Sequence, residues 1–354
     1  MQSNQHMSTQ AAVVHYALQP HAVELREVPV PDIGEGDALL AVGAVSVCGS
    51  DVHQAHNTHS WPVNVPVVLG HEFGGTIAKL GRGTAGFREG DRVVCETAAR
   101  ICGDCVLCRT GRYNLCRARK GFGYGVDGAM AQWVRVPARL LHAIPDSLPF
   151  DLACLSEPHA VAYQAMCMNS TIRPGDTVVV LGPGPIGLLC TRMAALSGAN
   201  PLIVVGLSND TERLATARKL GATHTADVDI DDVNELVRSL SPVGADVVCD
   251  ATGASRALAT ALQLVRPDGQ VTKVGWSPDV IPTDVNPIVM GNVRVQGSFS
   301  HNFPVWERVI HLLDAGVTGA ADIVGLRAPL TGWSDAFDAM HEGRVIKSVL
   351  LPRS

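Results

Sequence analysis

The chain has 354 residues, a hydrophobic fraction of 46%, a formal charge of -6 at pH 7 and a pI near 6.1. This length exceeds what one hydrophobic core usually serves and predicts two domains, while the acidic balance argues against a nucleic-acid partner. No apolar run is long enough for a membrane helix and the opening residues lack a secretory signal, so we expect a cytoplasmic protein with no membrane partner.

The first 150 residues consist of short β-runs that glycine and proline interrupt. Several of these runs alternate apolar with polar residues, which is typical of strands with one buried face. The pattern predicts a β-barrel-type domain. The runs are AAVVHYA, DALLAVGAVSV, FGGTIAKL, DRVVCE and AQWVRV.

Two of these runs border residues that can bind a metal. Cys48, Ser50, Asp51 and His53 lie in the segment CGSDVH, and a second segment, GHE, follows at 70–72. Thiolate, imidazole and carboxylate groups are all zinc ligands. Each residue alone indicates only a packed side chain, but together they form a candidate metal site.

Four cysteines lie close together in the middle of this half. Cys102, Cys105, Cys108 and Cys116 fall within 15 residues, among ten cysteines in the chain. Such clustering in a reducing compartment favours one tetrahedral zinc ion over disulfides, and it favours zinc over an iron-sulfur cluster. A loop this poor in apolar residues gains its order from the metal, so we expect a structural site with no open position.

From about Asp151 the pattern changes to apolar helices that alternate with β-branched runs, which predicts a parallel sheet with helical crossovers. The segment TVVVLGPGPIGLLC places Gly182, Gly184 and Gly187 between a strand and a helix, with Pro185 and Ile186 inside the motif. The glycines allow a tight turn, close approach of a pyrophosphate and close helix packing. A dinucleotide site is therefore predicted here.

The choice between NAD and NADP depends on the end of the following strand. An acidic residue there would favour the ribose hydroxyls of NAD, but the position is Gly206. Ser208 repels a 2′-phosphate less than a carboxylate side chain would. Arg213 is close enough in sequence to pair with the 2′-phosphate. These residues favour NADP. The alternative is that Asp210 binds the ribose and Arg213 supports only the helix start.

Together these segments resemble the zinc-dependent medium-chain dehydrogenase/reductase superfamily, in its sorbitol and threonine dehydrogenase branch. The resemblance spans nearly the whole chain. It implies a GroES-like β-barrel catalytic domain at 1–160 and 300–354, with a doubly wound Rossmann domain at 161–299. The motifs that carry it are CGSDVH, GHE, the four cysteines, SEP at 156–158, GPGPIG at 182–187 and the closing RVIKSVLL.

The resemblance also assigns roles to the zinc-ligand candidates. A catalytic zinc would be held by Cys48, His71 and a carboxylate, which comes from Glu72 or from Glu157 of the SEP motif. A glutamate at position 157 places the chain nearer the polyol and threonine enzymes than the liver-type alcohol dehydrogenases. With the four-cysteine site, two zinc ions per chain are expected.

The same resemblance implies a proton path beside the metal. Ser50 would take the hydroxyl proton of the substrate and pass it through the cofactor ribose to His53 and solvent. Asp51 would orient the zinc-bound imidazole. Lys347, in the closing segment, is assigned to cofactor binding.

The resemblance leaves the substrate open. Gln54, Ser300 and His301 stand where sorbitol-type enzymes carry other groups, so we expect an alcohol or ketone such as a polyol, sugar, aminocyclitol or amino-alcohol. A zinc-free alkene or quinone reductase and a non-catalytic superfamily member are the alternatives. A homodimer or homotetramer is implied by the family alone.

Overall fold

The computed structural model describes residues 9–277 and 279–354. The chain divides into two compact units. Unit 1 takes in the described residues up to Glu157 together with Asn302–Ala315 and Val324–Ser354, and unit 2 takes in Pro158–His301 and Gly316–Ile323. Among the described residues, none of the helices combines the length and the apolar character that crossing a bilayer requires.

Both units combine strands with helices. The strands are β1 (Thr9–His15), β2 (Val23–Pro29), β3 (Asp37–Ser46), β4 (Val67–Val68), β5 (Glu72–Leu80), β6 (Arg92–Cys95), β7 (Trp133–Pro137), β8 (Leu141–Ala143), β9 (Val178–Leu181), β10 (Leu202–Gly206), β11 (His224–Asp227), β12 (Ala245–Asp250), β13 (Val265–Lys273), β14 (Arg294–Gly297), β15 (Val324–Pro329) and β16 (Lys347–Leu351). The helices are α1 (Gly49–Ala55), α2 (Val106–Arg109), α3 (Phe150–Ala153), α4 (Ser156–Tyr163), α5 (Pro185–Leu196), α6 (Thr211–Lys219), α7 (Val233–Leu240), α8 (Ala257–Leu264), α9 (Asn286–Met290), α10 (Phe303–Asp314), α11 (Ala320–Ile323) and α12 (Trp333–His341).

Unit 1 is built on a seven-stranded sheet with the order β15-β16-β3-β5-β6-β8, and β7 also pairs with β3. A smaller sheet has the order β2-β1-β4. Side chains alternate along β3, so Leu40 and Val42 enter the core while their neighbours do not. Phe73 and Phe122 meet edge to face in the same core, with ring centroids 5.5 Å apart. The β-rich first half is therefore confirmed.

Unit 2 contains a six-stranded parallel sheet with the order β11-β10-β9-β12-β13-β14. All residues of β9 and β10 are buried, as expected for central parallel strands with helices on both faces. The strand order reverses next to β9, which is where doubly wound sheets bind nucleotides at the carboxyl ends of the strands. The predicted parallel sheet is confirmed.

One predicted helix is divided. The apolar helical pattern that begins at Asp151, DLACLSEPHAVAYQAMC, forms α3, then α4, then a π-helical turn at Gln164–Met168. Pro158 has no backbone N–H to continue a helix from the turn before it, so the helix restarts at Ser156. The restart places Glu157 in the first turn of α4, where it is buried.

Candidate catalytic zinc site and dinucleotide site

The first turn of α1 fixes three of the predicted site residues. Cys48 is the N-cap of α1, and its backbone N–H donates to Asp51 Oδ2 at 2.9 Å. This contact closes the turn, so the Cys48 thiol, the Ser50 hydroxyl and the Asp51 carboxyl are set by one piece of backbone. Asp51 is fully buried.

His71 meets this turn from the start of β5. The Nε2 atom of His71 lies 3.5 Å from Ser50 Oγ, and its Nδ1 atom lies 3.8 Å from Asp51 Oδ1. An imidazole whose Nδ1 hydrogen faces a carboxylate has Nε2 left to bind a metal. The preceding Gly70 has φ +92°, and an added Cβ would lie 2.9 Å from the Met130 backbone nitrogen, so glycine is required for this approach.

The ligand atoms of Cys48, His71 and Glu72 all lie within 4.8 Å of one another. Burial alone would lower the pKa of His71, but Cys48, Asp51 and Glu157 raise it well above its usual value. A donor set this rich in acidic groups is suited to a cation. The residues therefore fit a zinc ion, and three of the predicted ligands lie together in the structure.

Glu72 has a second set of partners. Lys347 Nζ lies 2.9 Å from Glu72 Oε1 and 2.7 Å from Oε2, and the Ser46 hydroxyl donates to Oε2. Burial opposes the charge on Lys347, but Glu72 and Cys48 raise its pKa, so it remains an ammonium. Both side chains are almost completely buried. Sequence reasoning missed this pair, and the predicted contact of Lys347 with the cofactor stays a prediction.

Glu157 belongs to the same electrostatic cluster. Its charge raises the pKa of both His71 and Lys347. Its side chain is 7% exposed and comes from α4, on a different part of the chain from Glu72. Lys347 and Ser46 already engage both oxygens of Glu72, and the choice between Glu72 and Glu157 as the carboxylate ligand stays a prediction.

His53 lies one turn after Ser50 on α1 and is exposed. Its Nδ1 atom is 2.9 Å from Thr58 Oγ1. Partial burial, and then the nearby His341, lower its pKa. A neutral imidazole near solvent can accept a proton, which suits the predicted end of a relay.

The positions that depart from sorbitol-type enzymes have structural partners of their own. Gln54 is buried, and its Nε2 donates to the Gly123 carbonyl at 3.2 Å. Its Oε1 lies 3.4 Å from Nδ1 of the buried His15. Ser300 has φ +56°, and His301 is buried.

The four cysteines form a compact cage. Cys105 and Cys108 sulfurs are 3.5 Å apart, Cys102 and Cys116 sulfurs 3.6 Å, and Cys102 and Cys108 sulfurs 3.8 Å. A tetrahedron with Zn–S bonds of about 2.3 Å has an edge of about 3.8 Å, so the cage has the size of one ion. The backbone N–H of Cys102 lowers the pKa of Cys116 to about 7. The cage fits zinc with no position open to substrate.

The glycine motif has the expected context between β9 and α5. Gly182 has φ +91°, and an added Cβ on Gly187 would lie 1.7 Å from the Gly182 oxygen. Gly184 is the N-cap of α5, Pro185 is its first residue and Ile186 its second. An added Cβ on Gly184 meets no atom within 4 Å, so this backbone is open to a phosphate at the helix N-terminus.

The residues predicted to discriminate the cofactors are already paired. Arg213 Nη1 donates to Asp210 Oδ1 at 3.1 Å, and an added Cβ on Gly206 would lie 3.1 Å from the Asp210 Cβ. Ser208 Oγ donates to Asp227 Oδ2 at 2.7 Å, and Asp227 is the register partner of Gly206 on β11. These contacts agree with an Arg213 that supports only the helix start, and the choice between NAD and NADP stays a prediction. Asp227 lies on another strand, so no local motif points to its contact with Ser208.

Two family models match the chain in succession. The alcohol dehydrogenase GroES-like domain matches residues 34–146, and the zinc-binding dehydrogenase model matches residues 185–315. The sorbitol dehydrogenase of Halalkalibacterium halodurans is 38% identical over 348 residues, which is 98% of this chain and 98% of that protein. The chain belongs to the zinc-binding alcohol dehydrogenase family. The predicted superfamily, fold class and enzyme type of this dehydrogenase are therefore confirmed.

Two further proteins are similar to this dehydrogenase along most of its length. The D-arabitol-phosphate dehydrogenase of Enterococcus avium is 36% identical over 92% of each chain. The crystal structure of a zinc-binding dehydrogenase of Sinorhizobium meliloti bound to NADP has a TM-score of 0.90 and 30% identity. That comparison covers 98% of this chain and 100% of the other.

Proposed function

We propose that this dehydrogenase moves hydride between a secondary hydroxyl of a polyol and NAD or NADP, with zinc held by Cys48, His71 and Glu157. The observation that carries the proposal is that the ligand atoms of Cys48, His71 and Glu72 lie within 4.8 Å of one another. Glu157 is the proposed carboxylate ligand because Lys347 and Ser46 already engage Glu72, and because the charge of Glu157 raises the pKa of His71. The polyol class is supported by the similarity to sorbitol and D-arabitol-phosphate dehydrogenases. Unit 1 would then be the catalytic domain and unit 2 the dinucleotide-binding domain.

Zinc bound here would polarise the substrate oxygen and lower the pKa of its hydroxyl. The side chains and backbone of the protein carry out the remaining steps. Asp51 faces Nδ1 of His71 from 3.8 Å and orients the ring by its charge. Ser50, within hydrogen-bonding reach of His71, receives the substrate proton. His53 then passes the proton to solvent. Gly182, Gly184 and Gly187 hold the pyrophosphate so that the nicotinamide is oriented for hydride transfer.

The zinc-free reductase and the non-catalytic member are less consistent with these residues. Neither would need the donor set of Cys48, His71 and Glu157 beside a serine hydroxyl. Nor would either explain a second cage of four cysteines with sulfurs spaced for one ion.

The proposal is tested by counting zinc and then measuring oxidation. Mass spectrometry of the metal content is expected to give two zinc ions per chain in the wild type, one in Glu157→Gln, and two in the matched control Glu72→Gln. Polyols and their phosphate esters are then screened with NAD and with NADP. One zinc in the wild type, confined to the four cysteines, would contradict the proposal.

We further propose that the dehydrogenase is a homo-oligomer that pairs through β14. This strand is the edge of the parallel sheet and is exposed along its length. The nearby Val289 and Met290 are 81% and 87% exposed. A free strand edge beside exposed apolar residues is a surface that a second copy can cover. Val295→Lys should shift the mass measured by light scattering to that of the monomer; an unchanged mass would reject this interface.

We also propose a cytoplasmic location. All ten cysteines are free thiols in the structure, which agrees with a reducing compartment. Alkylation of intact cells followed by peptide mass spectrometry should find the thiols reduced.

A further inference from the structure

A buried network of acidic and aromatic side chains lies outside the proposed proton path. His142, on β8, has its Nε2 atom 3.2 Å from Glu96 Oε1 and its Nδ1 atom 2.5 Å from Glu307 Oε1. Its ring stacks on Trp306 at 5.5 Å and packs against Phe303 at 4.5 Å. Glu96 and His142 are each 1% exposed. The Glu307 side chain is 55% exposed, so the buried polar part of the network is Glu96 and His142. Burying these two groups costs free energy unless both are hydrogen-bonded, so the arrangement is specific.

The four-cysteine cage joins this network through Tyr113. Tyr113 begins the 3₁₀ turn Tyr113–Leu115, whose C-cap is Cys116. Its hydroxyl donates to the Glu96 carboxylate, with Oε1 at 2.8 Å and Oε2 at 2.7 Å. The same oxygen accepts the backbone N–H of Phe303 at 2.8 Å. Burial and the charge of Glu96 raise the pKa of Tyr113, so the hydroxyl keeps its proton.

Phe303 is the first residue of α10, and the first N–H groups of a helix have no partner within the helix. No side chain of α10 itself caps this end. Tyr113 supplies the missing acceptor, and Asn302 Nδ2 donates to the Gly111 carbonyl at 3.0 Å. Two hydrogen bonds therefore tie the beginning of α10 to the cysteine cage.

The segment before α10 begins at the carboxyl ends of the parallel strands of unit 2, where the dinucleotide is proposed to bind. It leaves the carboxyl end of β14, and the Ser298 N–H donates to the Lys273 carbonyl at the end of β13. Gly182 lies at the same edge, because β9, β13 and β14 belong to one parallel sheet. Only residues 298–301 separate that edge from the anchored Asn302.

We propose that Tyr113 is a positioning residue through which metal in the four-cysteine cage fixes the start of α10, and with it the segment 298–301 beside the dinucleotide. The cage then has a role in cofactor affinity as well as in local order. The inference rests on the metal occupancy in the proposed function. It assigns no chemistry to Tyr113, which acts only through the backbone that it holds.

Hydrogen exchange of peptides from residues 302–310 tests the link without any need for turnover. Tyr113→Phe should speed exchange there by about five- to tenfold, the effect of losing one hydrogen bond. The matched control is Tyr124→Phe, which removes a hydroxyl that bonds Arg119 and has no part in α10. Zinc content should stay at two per chain in both variants.

Removal of the cage metal should speed hydrogen exchange at the start of α10 as much as loss of the Tyr113 hydroxyl does. The effects of the two changes on the exchange rate should not be additive. Wild-type protein after chelation, and Cys108→Ser where it folds, should both show faster exchange in α10, while chelated Tyr113→Phe should show no further change. Fluorescence titration with NADH and NADPH should give a dissociation constant several-fold higher for Tyr113→Phe than for Tyr124→Phe. In steady state the KM for the dinucleotide should rise more than kcat falls.

Two results would overturn the inference in distinguishable ways. If the four cysteines hold no zinc, both the link to α10 and the assignment of a structural metal are rejected. A zinc-loaded cage whose loss leaves the exchange of α10 unchanged, or a Tyr113→Phe variant that binds dinucleotide as the control does, would reject the link while leaving the proposed dehydrogenase activity intact.

Discussion

The buried pair of Lys347 and Glu72 makes a quantitative prediction about stability. Their closest atoms are 2.7 Å apart, and both side chains are at most 2% exposed. Lys347→Met keeps much of the volume but leaves the Glu72 carboxylate without its cation. Removing one partner of a buried ion pair costs about 3–5 kcal/mol, because the remaining charge stays desolvated.

The variant is compared with the wild type by denaturant unfolding, with each protein loaded with zinc to the same content. A loss of this size should also lower the Tm by on the order of 10 °C. Lys347→Arg, which keeps the charge, is the matched control and should lose less. The double variant Glu72→Gln with Lys347→Met should recover a large part of the loss, because it buries no unpaired charge.

Either of two outcomes would show that the uncompensated charge of Glu72 does not control stability. A loss below about 1 kcal/mol in Lys347→Met would mean that the pair contributes no more than an exposed ion pair does. A double variant as unstable as Lys347→Met would mean that packing, and not the uncompensated charge, explains the effect.

Three further predictions concern catalysis and cofactor choice. Ser50→Ala should lower kcat by about 10²–10⁴-fold, the usual range for losing a proton-transfer group, with zinc content unchanged; a full rate would exclude Ser50 from the relay. His341 lowers the pKa of His53, so His341→Gln should raise the pKa of His53. Because only the neutral His53 ring accepts the proton, the acid limb of the kcat profile should move to higher pH. An acid limb that stays in place in initial-rate measurements would reject His53 as the acceptor. Asp227→Asn should raise the ratio of kcat/KM for NADP to that for NAD by about fivefold, since it removes about 1 kcal/mol of charge repulsion toward a 2′-phosphate, and an unchanged ratio would place Asp227 outside the ribose site.

The features that the sequence predicts well are those whose partners are near in the chain. The four-cysteine cage lies within 15 residues and the glycine motif within six, so spacing alone specifies a metal cage and a phosphate turn. The parallel sheet follows from alternating apolar helices and β-branched runs, because that pattern has few packing solutions.

The features that the sequence could not predict depend on distant partners. Glu72, one of the two candidate carboxylate ligands, pairs with Lys347 from 275 residues away. No local motif marks that pair. Arg213 is the opposite case: Asp210 lies three residues before it, a spacing at which opposite charges meet at a helix start, so its pairing was open to sequence reasoning.

The position of β16 has a consequence for protein synthesis. This strand adds to β3 beside Ser46 and carries Lys347 to the buried carboxylate of Glu72. While a ribosome is still making the middle of the chain, the central strands of unit 1 can form but their buried acid has no counter-ion. Neutralisation of the Glu72 charge must therefore wait until Lys347 is translated, and nascent chains halted before β16 should depend on chaperones.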